Sequence, residues 1–82
     1  MLWLGTIVVF HYLDKYEEAI ASYDKALKIK PDYALAWYNR GVSLYDLGKY
    51  EEAIASYDKA LKIDPNHKFA NNNRKWALEK FR

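Results

Sequence analysis

The fifteen residues KYEEAIASYDKALKI occur at 15–29 and again, unchanged, at 49–63. The offset is 34 residues, and other pairs keep it: Leu13 with Leu47, Ala36 with Ala70, Asn39 with Asn73, Arg40 with Arg74, Leu44 with Leu78, and Pro31 with Pro65. Self-similarity at a fixed period of this size marks a stacked array, in which each unit covers an apolar face that its neighbour cannot bury alone.

Within the repeated word, Tyr16, Ala19, Ile20, Tyr23, Ala26 and Leu27 recur at helical spacing and form one apolar stripe. Glu17 and Glu18 open this helix and Lys25, Lys28 and Lys30 close it, as the helix dipole favours. Asp24 and Lys28 are placed to pair one turn apart. Pro31 ends the helix, and Asp32 is the expected cap of the next. That second helix offers Ala34, Trp37, Tyr38, Gly41, Leu44 and Tyr45 as its buried stripe. Gly41 suits a close approach of the paired helix, and Gly48 a left-handed turn. The second copy of the word follows and ends at Pro65. Asn66 is then the expected cap of a last helix, with Ala70, Arg74, Ala77, Leu78 and Phe81 facing back.

Trp37, Gly41, Tyr50, Ala53, Tyr57, Ala60 and Pro65 follow the large, small, aromatic, small, aromatic, small, proline pattern of a tetratricopeptide repeat (TPR). The chain resembles that family strongly over 15–67 and more loosely at both ends. The resemblance implies an all-α, TPR-type solenoid of antiparallel helix pairs, with about five helices in one domain spanning 1–82. Its parts would be a degenerate first repeat at 1–33 with an aberrant first helix at 1–13, a full repeat at 34–67, and a terminal capping helix at 68–82. The last helix carries Asn71 where the family has a large apolar residue and Lys75 where it has a small one, as an end with nothing stacked on it requires. About two and a half repeats is fewer than the three or so that a stable array needs.

The opening MLWLGTIVVFHY contains no Lys, Arg, Asp or Glu. In register, Trp3 and Phe10 hold aromatic positions of a first helix, but Ile7 stands where the small residue belongs. Codons permitted for Tyr33–Tyr45, read one nucleotide out of frame, encode these twelve residues in order. The segment therefore reads as an out-of-frame copy of a repeat's first helix, returned to frame near Leu13. It has neither the basic start nor the cleavage site of a signal peptide, and charge begins at Asp14, too early for a membrane span. Thr6–Phe10 is β-branched and apolar, so it favours strand locally and carries an aggregation risk.

Asp14 stands where the next repeat has Gly48, which weakens the first turn. Two outcomes follow. Either the hairpin forms and leaves an uncovered apolar face around Leu2 and Val9, or residues from about 2 to 30 run as one long helix that exchanges with a second chain. Both expose enough apolar surface to promote homo-oligomers, with Leu2, Leu4, Val8, Val9 and Asp14 as the self-association candidates.

The remaining composition excludes more than it assigns. The absence of cysteine removes disulfides and thiolate metal sites. A net charge of +2, with the charges interspersed, argues for neither nucleic acid nor a membrane as partner. His11 and His67 lie far apart and read as solvent-side residues, and the three glycines are too scattered to form a phosphate loop. No catalytic, cofactor-binding or metal site is expected, and the expected location is cytoplasmic.

The resemblance implies instead a protein-binding module that holds a peptide or partner helix in a concave groove lined by the first helix of each pair. Here those positions are Leu35, Tyr38, Asn39, Val42, Tyr45 and Asp46, continued by Phe69, Asn72, Asn73 and Trp76. The surface is aromatic with a few amides, suited to apolar anchors and backbone hydrogen bonds. The clamp that some TPR domains use for chaperone tails is missing. Of its five polar positions only Asn39 matches, while Leu4, Val8, Phe69 and Asn73 fill the rest. The alternative function is a self-assembling repeat fragment, natural or engineered, with no external ligand.

Overall fold

The computed structural model describes the backbone of residues 2–81 and the side chains of 15–81. It contains four helices: α1 (Leu2–Ile29), α2 (Ala34–Asp46), α3 (Tyr50–Ile63) and α4 (Lys68–Phe81). Among the described residues α1 packs on α2, α2 on α3 and α3 on α4, while α2 also touches α4. This is the expected all-α helical-repeat architecture, with the helix count corrected from five to four. The two helices expected in the first repeat are one helix of 28 residues, about 42 Å long.

The second hairpin shows why the first does not form. α2 closes with a Schellman turn: the Lys49 N–H donates to the Leu44 carbonyl and the Gly48 N–H to the Tyr45 carbonyl, both at 2.9 Å. Gly48 sits at φ 81°, a left-handed conformation that costs a residue with a Cβ roughly 1–2 kcal/mol. Further up, Gly41 lies against the Tyr57 ring, and a Cβ there would stand 2.5 Å from Tyr57 Cε1. The equivalent positions in the first repeat are Ile7 and Asp14. A branched side chain where not even a methyl fits, and aspartate at the turn, both oppose the hairpin. The chain runs on as helix because every backbone N–H then keeps its partner without a turn.

The core lies between α2 and α3 and is closed by α4. Leu44, Ala53, Tyr57 and Ala77 form its centre, with Ile20, Tyr38, Val42, Tyr45 and Ile54 packed around them. Ala36 and Leu27 close the α1–α2 contact, and Ala60 and Ala70 that of α3 with its neighbours.

Polar ties recur with the period. Arg40 Nε bonds Asp24 Oδ1 of α1 at 2.7 Å, and its Nη1 reaches Ser56 Oγ of α3 at 2.7 Å, so one side chain fastens three helices. One repeat on, Arg74 pairs with Asp58 in the same way. The expected Asp24–Lys28 pair is thus replaced, because the guanidinium of the next helix offers Asp24 a planar donor. The Trp37 indole N–H donates to the Pro31 carbonyl at 2.9 Å, and Asn71 repeats this bond to the Pro65 carbonyl at 3.4 Å with a smaller group.

The caps differ from those expected. Tyr33, not Asp32, is the N-cap of α2 and makes no side-chain cap bond. The α4 cap is His67, whose Nδ1 accepts the Ala70 N–H at 3.2 Å. Asn66 instead donates its N–H to Asp64 Oδ1.

Candidate functional site

Side chains from α2 and α4 share one face of the molecule, with α3 behind them. Because both helices belong to the same part of the repeat, residues about 34 positions apart become neighbours. Val42, Tyr45 and Asp46 of α2, with Asn73 and Trp76 of α4, bound a cavity of about 210 Å³. Tyr57 of α3 completes the lining. This volume is below the range of roughly 300–1,000 Å³ usual for small-molecule sites, and it suits one apolar side chain.

A second cluster lies beside it. The Tyr38 ring stands 5.0 Å from His67 and 6.2 Å from Phe69, both tilted. Asn73 joins the two areas by donating from Nδ2 to the Tyr38 hydroxyl at 3.3 Å. Leu35, Phe69 and Trp76 stand proud, at 48, 67 and 55% exposure. These are large apolar surfaces facing water on a chain whose core side chains are otherwise well covered.

Five of the ten groove positions read from the sequence therefore line the cavity, and Tyr38 and Phe69 form the aromatic cluster beside it. Leu35 and Asn72 are exposed and Asn39 is half-buried, and none of the three bounds the cavity. Sequence reasoning missed two residues. Tyr57 reads as part of the core stripe of its helix, yet its ring reaches through to the groove floor. His67 reads as a solvent-side residue, but it caps α4 and stacks on Tyr38. A histidine two residues after proline, at the start of a helical pattern, was the available signal. The self-association candidates Leu2, Leu4, Val8, Val9 and Asp14, together with His11, have side chains outside the described residues.

Electrostatics sharpen the groove. Burial pushes the Tyr57 phenol up to about 12; a hydrogen bond to Asn73 opposes the shift, while Tyr38, Asp46 and Tyr45 add to it. Burial also lifts the Asp46 carboxyl above the ordinary carboxylate range. The groove can accept an N–H at Asp46, donate from the Asn73 amide, and cover apolar atoms with Trp76 and Tyr45.

A larger cleft of about 650 Å³ between α1 and α2 is lined by Asp24, Leu27, Lys28, Trp37 and Arg40. Its carboxylate and guanidinium already satisfy each other. Among the described residues no group of three His, Asp or Glu is placed to hold a metal ion. No helix among them is long and apolar enough to cross a membrane.

Helix pairs stacked at a fixed period around a shared face define a helical-repeat scaffold. The tetratricopeptide repeat model matches residues 34–67, and a further TPR repeat model matches 9–48, so the two together cover 9–67. The chain belongs to the tetratricopeptide repeat family, whose repeats are generally protein–protein interaction modules. No curated protein matches the chain significantly.

Proposed function

We propose that the chain is a non-enzymatic interaction module that binds an extended peptide or a partner helix across the α2–α4 face. The observation that carries this reading is the small apolar cavity between Tyr45, Tyr57 and Trp76, flanked by Asp46 and Asn73. An apolar anchor enters the cavity, and the flanking polar groups hold the partner's backbone. Tyr and Trp at the centre of a patch are the residue types that supply most binding energy in such interfaces. The experiment is a titration of a peptide library against the full chain and its Trp76→Ala variant, read by fluorescence anisotropy. The reading requires a sequence-selective binder that the variant weakens by at least tenfold. Binders that ignore both Trp76→Ala and Tyr45→Ala contradict it.

A second reading is favoured by the continuous α1. At 28 residues it is more than twice as long as α2, its only neighbour among the described residues, so its apolar amino-terminal half extends past the partner. In this reading that half, which includes Leu2, Leu4, Val8 and Val9, drives homo-oligomerisation. Light scattering on the full chain and on a version beginning at Asp14 decides it. A defined oligomer that the truncation abolishes supports the reading, and two monomers refute it.

A further inference from the structure

α1 ends on the same fourteen residues that make up α3, YEEAIASYDKALKI, so each position of α3 has an identical counterpart in the second half of α1. One side of the pair is used alike in both. Asp24 and Asp58 each receive an arginine from the following helix, and Ile20 and Ile54 both pack at the edge of the core. The other side is not. On α3 it is made by Ala53, Ser56, Tyr57 and Ala60, all buried under α2 or its neighbours. On α1 the counterparts Ala19, Tyr23 and Ala26 are half-buried and Ser22 is exposed.

What covers this face on α3 is visible. Gly41 admits the Tyr57 ring, the adjacent Arg40 reaches Ser56 Oγ, and Leu44 packs beside Tyr57. The complement of the face is thus a helix with arginine, glycine, two intervening residues and leucine in succession, Arg40-Gly41-Val42-Ser43-Leu44 in this chain. The identical face on α1 has the same complement by chemistry, and nothing among the described residues supplies it. The residues that would fold back onto it carry Ile7 at the glycine position, and at the equivalent Gly41 a bare Cβ would already stand 2.5 Å from Tyr57 Cε1. α2 is committed between α1 and α3.

We propose that the α1 face formed by Tyr16, Ala19, Ser22, Tyr23 and Ala26 docks one amphipathic helix from a separate chain, antiparallel to α1. The docked helix has glycine opposite Tyr23, arginine immediately before it to reach Ser22, and leucine three residues after the glycine. It completes the missing helix pair. This site lies on the opposite side of α2 from α3 and shares no residue with the α2–α4 groove, so it stands or falls independently of peptide binding there.

The probe is a labelled synthetic peptide of residues 33–48, titrated against the full chain. The expected result is saturable binding that is lost at least tenfold when the peptide carries Gly41→Ile, a change that cannot unfold the protein. Tyr23→Ala in the full chain weakens it by a similar factor, with unchanged circular dichroism showing that the fold persists. Trp76→Ala leaves it unaltered. Absence of saturable binding overturns the proposal, as does binding indifferent to the peptide's glycine or abolished by Trp76→Ala. Light scattering that shows a dimer dissociated by Tyr23→Ala overturns it too, by placing a second copy of the chain on this face.

Discussion

Residues 15–29 and 49–63 are one sequence in two settings. In α3 the word begins a helix, lies between α2 and α4, and buries its Tyr57 completely. In α1 it is the second half of a longer helix, rests among the described residues on α2 alone, and leaves Tyr23 half-exposed. Glu51 and Glu52 sit in the first turn of α3, where the helix dipole stabilises each by about 0.3–1 kcal/mol; Glu17 and Glu18 lie mid-helix and lose that benefit. Helicity follows from the word itself, whereas burial, capping and stability follow from its neighbours. Two residues outside the word, Ile7 and Asp14 in place of glycines, account for the difference.

The largest expected contrast is between the two tyrosines. Tyr57→Ala empties the centre of the core and should cost about 3–5 kcal/mol, enough to unfold much of a chain this small. Tyr23→Ala removes a half-exposed ring and should cost about 1 kcal/mol. Urea titrations of both variants, followed by far-ultraviolet circular dichroism, measure the gap. Equal losses would mean that the two copies share one environment after all.

Tyr57 also confers a pH dependence. Below pH 10 the phenol is protonated in both the folded and unfolded chain. Between about 10 and 12 the unfolded chain loses this proton while the folded one retains it. Stability therefore falls as pH rises through that window, by about 2–3 kcal/mol. Denaturant midpoints from pH 9 to 12 should drop more steeply in the parent than in Tyr57→Phe. Parallel curves would assign the fall to other groups.

A smaller effect separates the two serines. Ser56 is 1% exposed and accepts from Arg40, so Ser56→Ala should cost about 1–2 kcal/mol by stranding a partly buried guanidinium nitrogen. Ser22→Ala, on the open face, should stay within about 0.5 kcal/mol. The comparison sharpens further when the peptide of residues 33–48 is present, because Ser22 then acquires the role that Ser56 already has.

Much of this is legible in the sequence alone. The period placed the helices, Pro31 and Pro65 marked the ends of the repeated word, and Gly48 marked the turn. Register alone brought Val42, Tyr45 and Asp46 opposite Asn73 and Trp76. The caps were not legible, because Asp32 and Asn66 are good cap residues locally, while the path of the chain after each proline puts Tyr33 and His67 at the first turn. Nor was the partner of Asp24. Helical spacing offers Lys28, but only packing brings Arg40, sixteen residues away, within 2.7 Å. Periodicity places Tyr57 in the core, where it lies, but it reports which face a side chain leaves from, not that a large ring also reaches the cavity. The sequence admits both a hairpin and a single helix for residues 2–30, since Asp14 only weakens a turn. The 2.5 Å approach at Gly41 shows why Ile7 decides between them.

The absence of native cysteine makes the central claim directly measurable. Spin labels at Trp3→Cys and Lys28→Cys report whether α1 is one helix or two. A continuous helix places these positions about 38 Å apart at 1.5 Å per residue. A hairpin brings them to about 10–15 Å, one interhelical spacing plus the label arms. Electron–electron resonance on the full chain should give a single distribution near the longer distance. A population centred on the shorter one would mean that the first repeat closes despite Ile7 and Asp14, and the account of the two copies would fail.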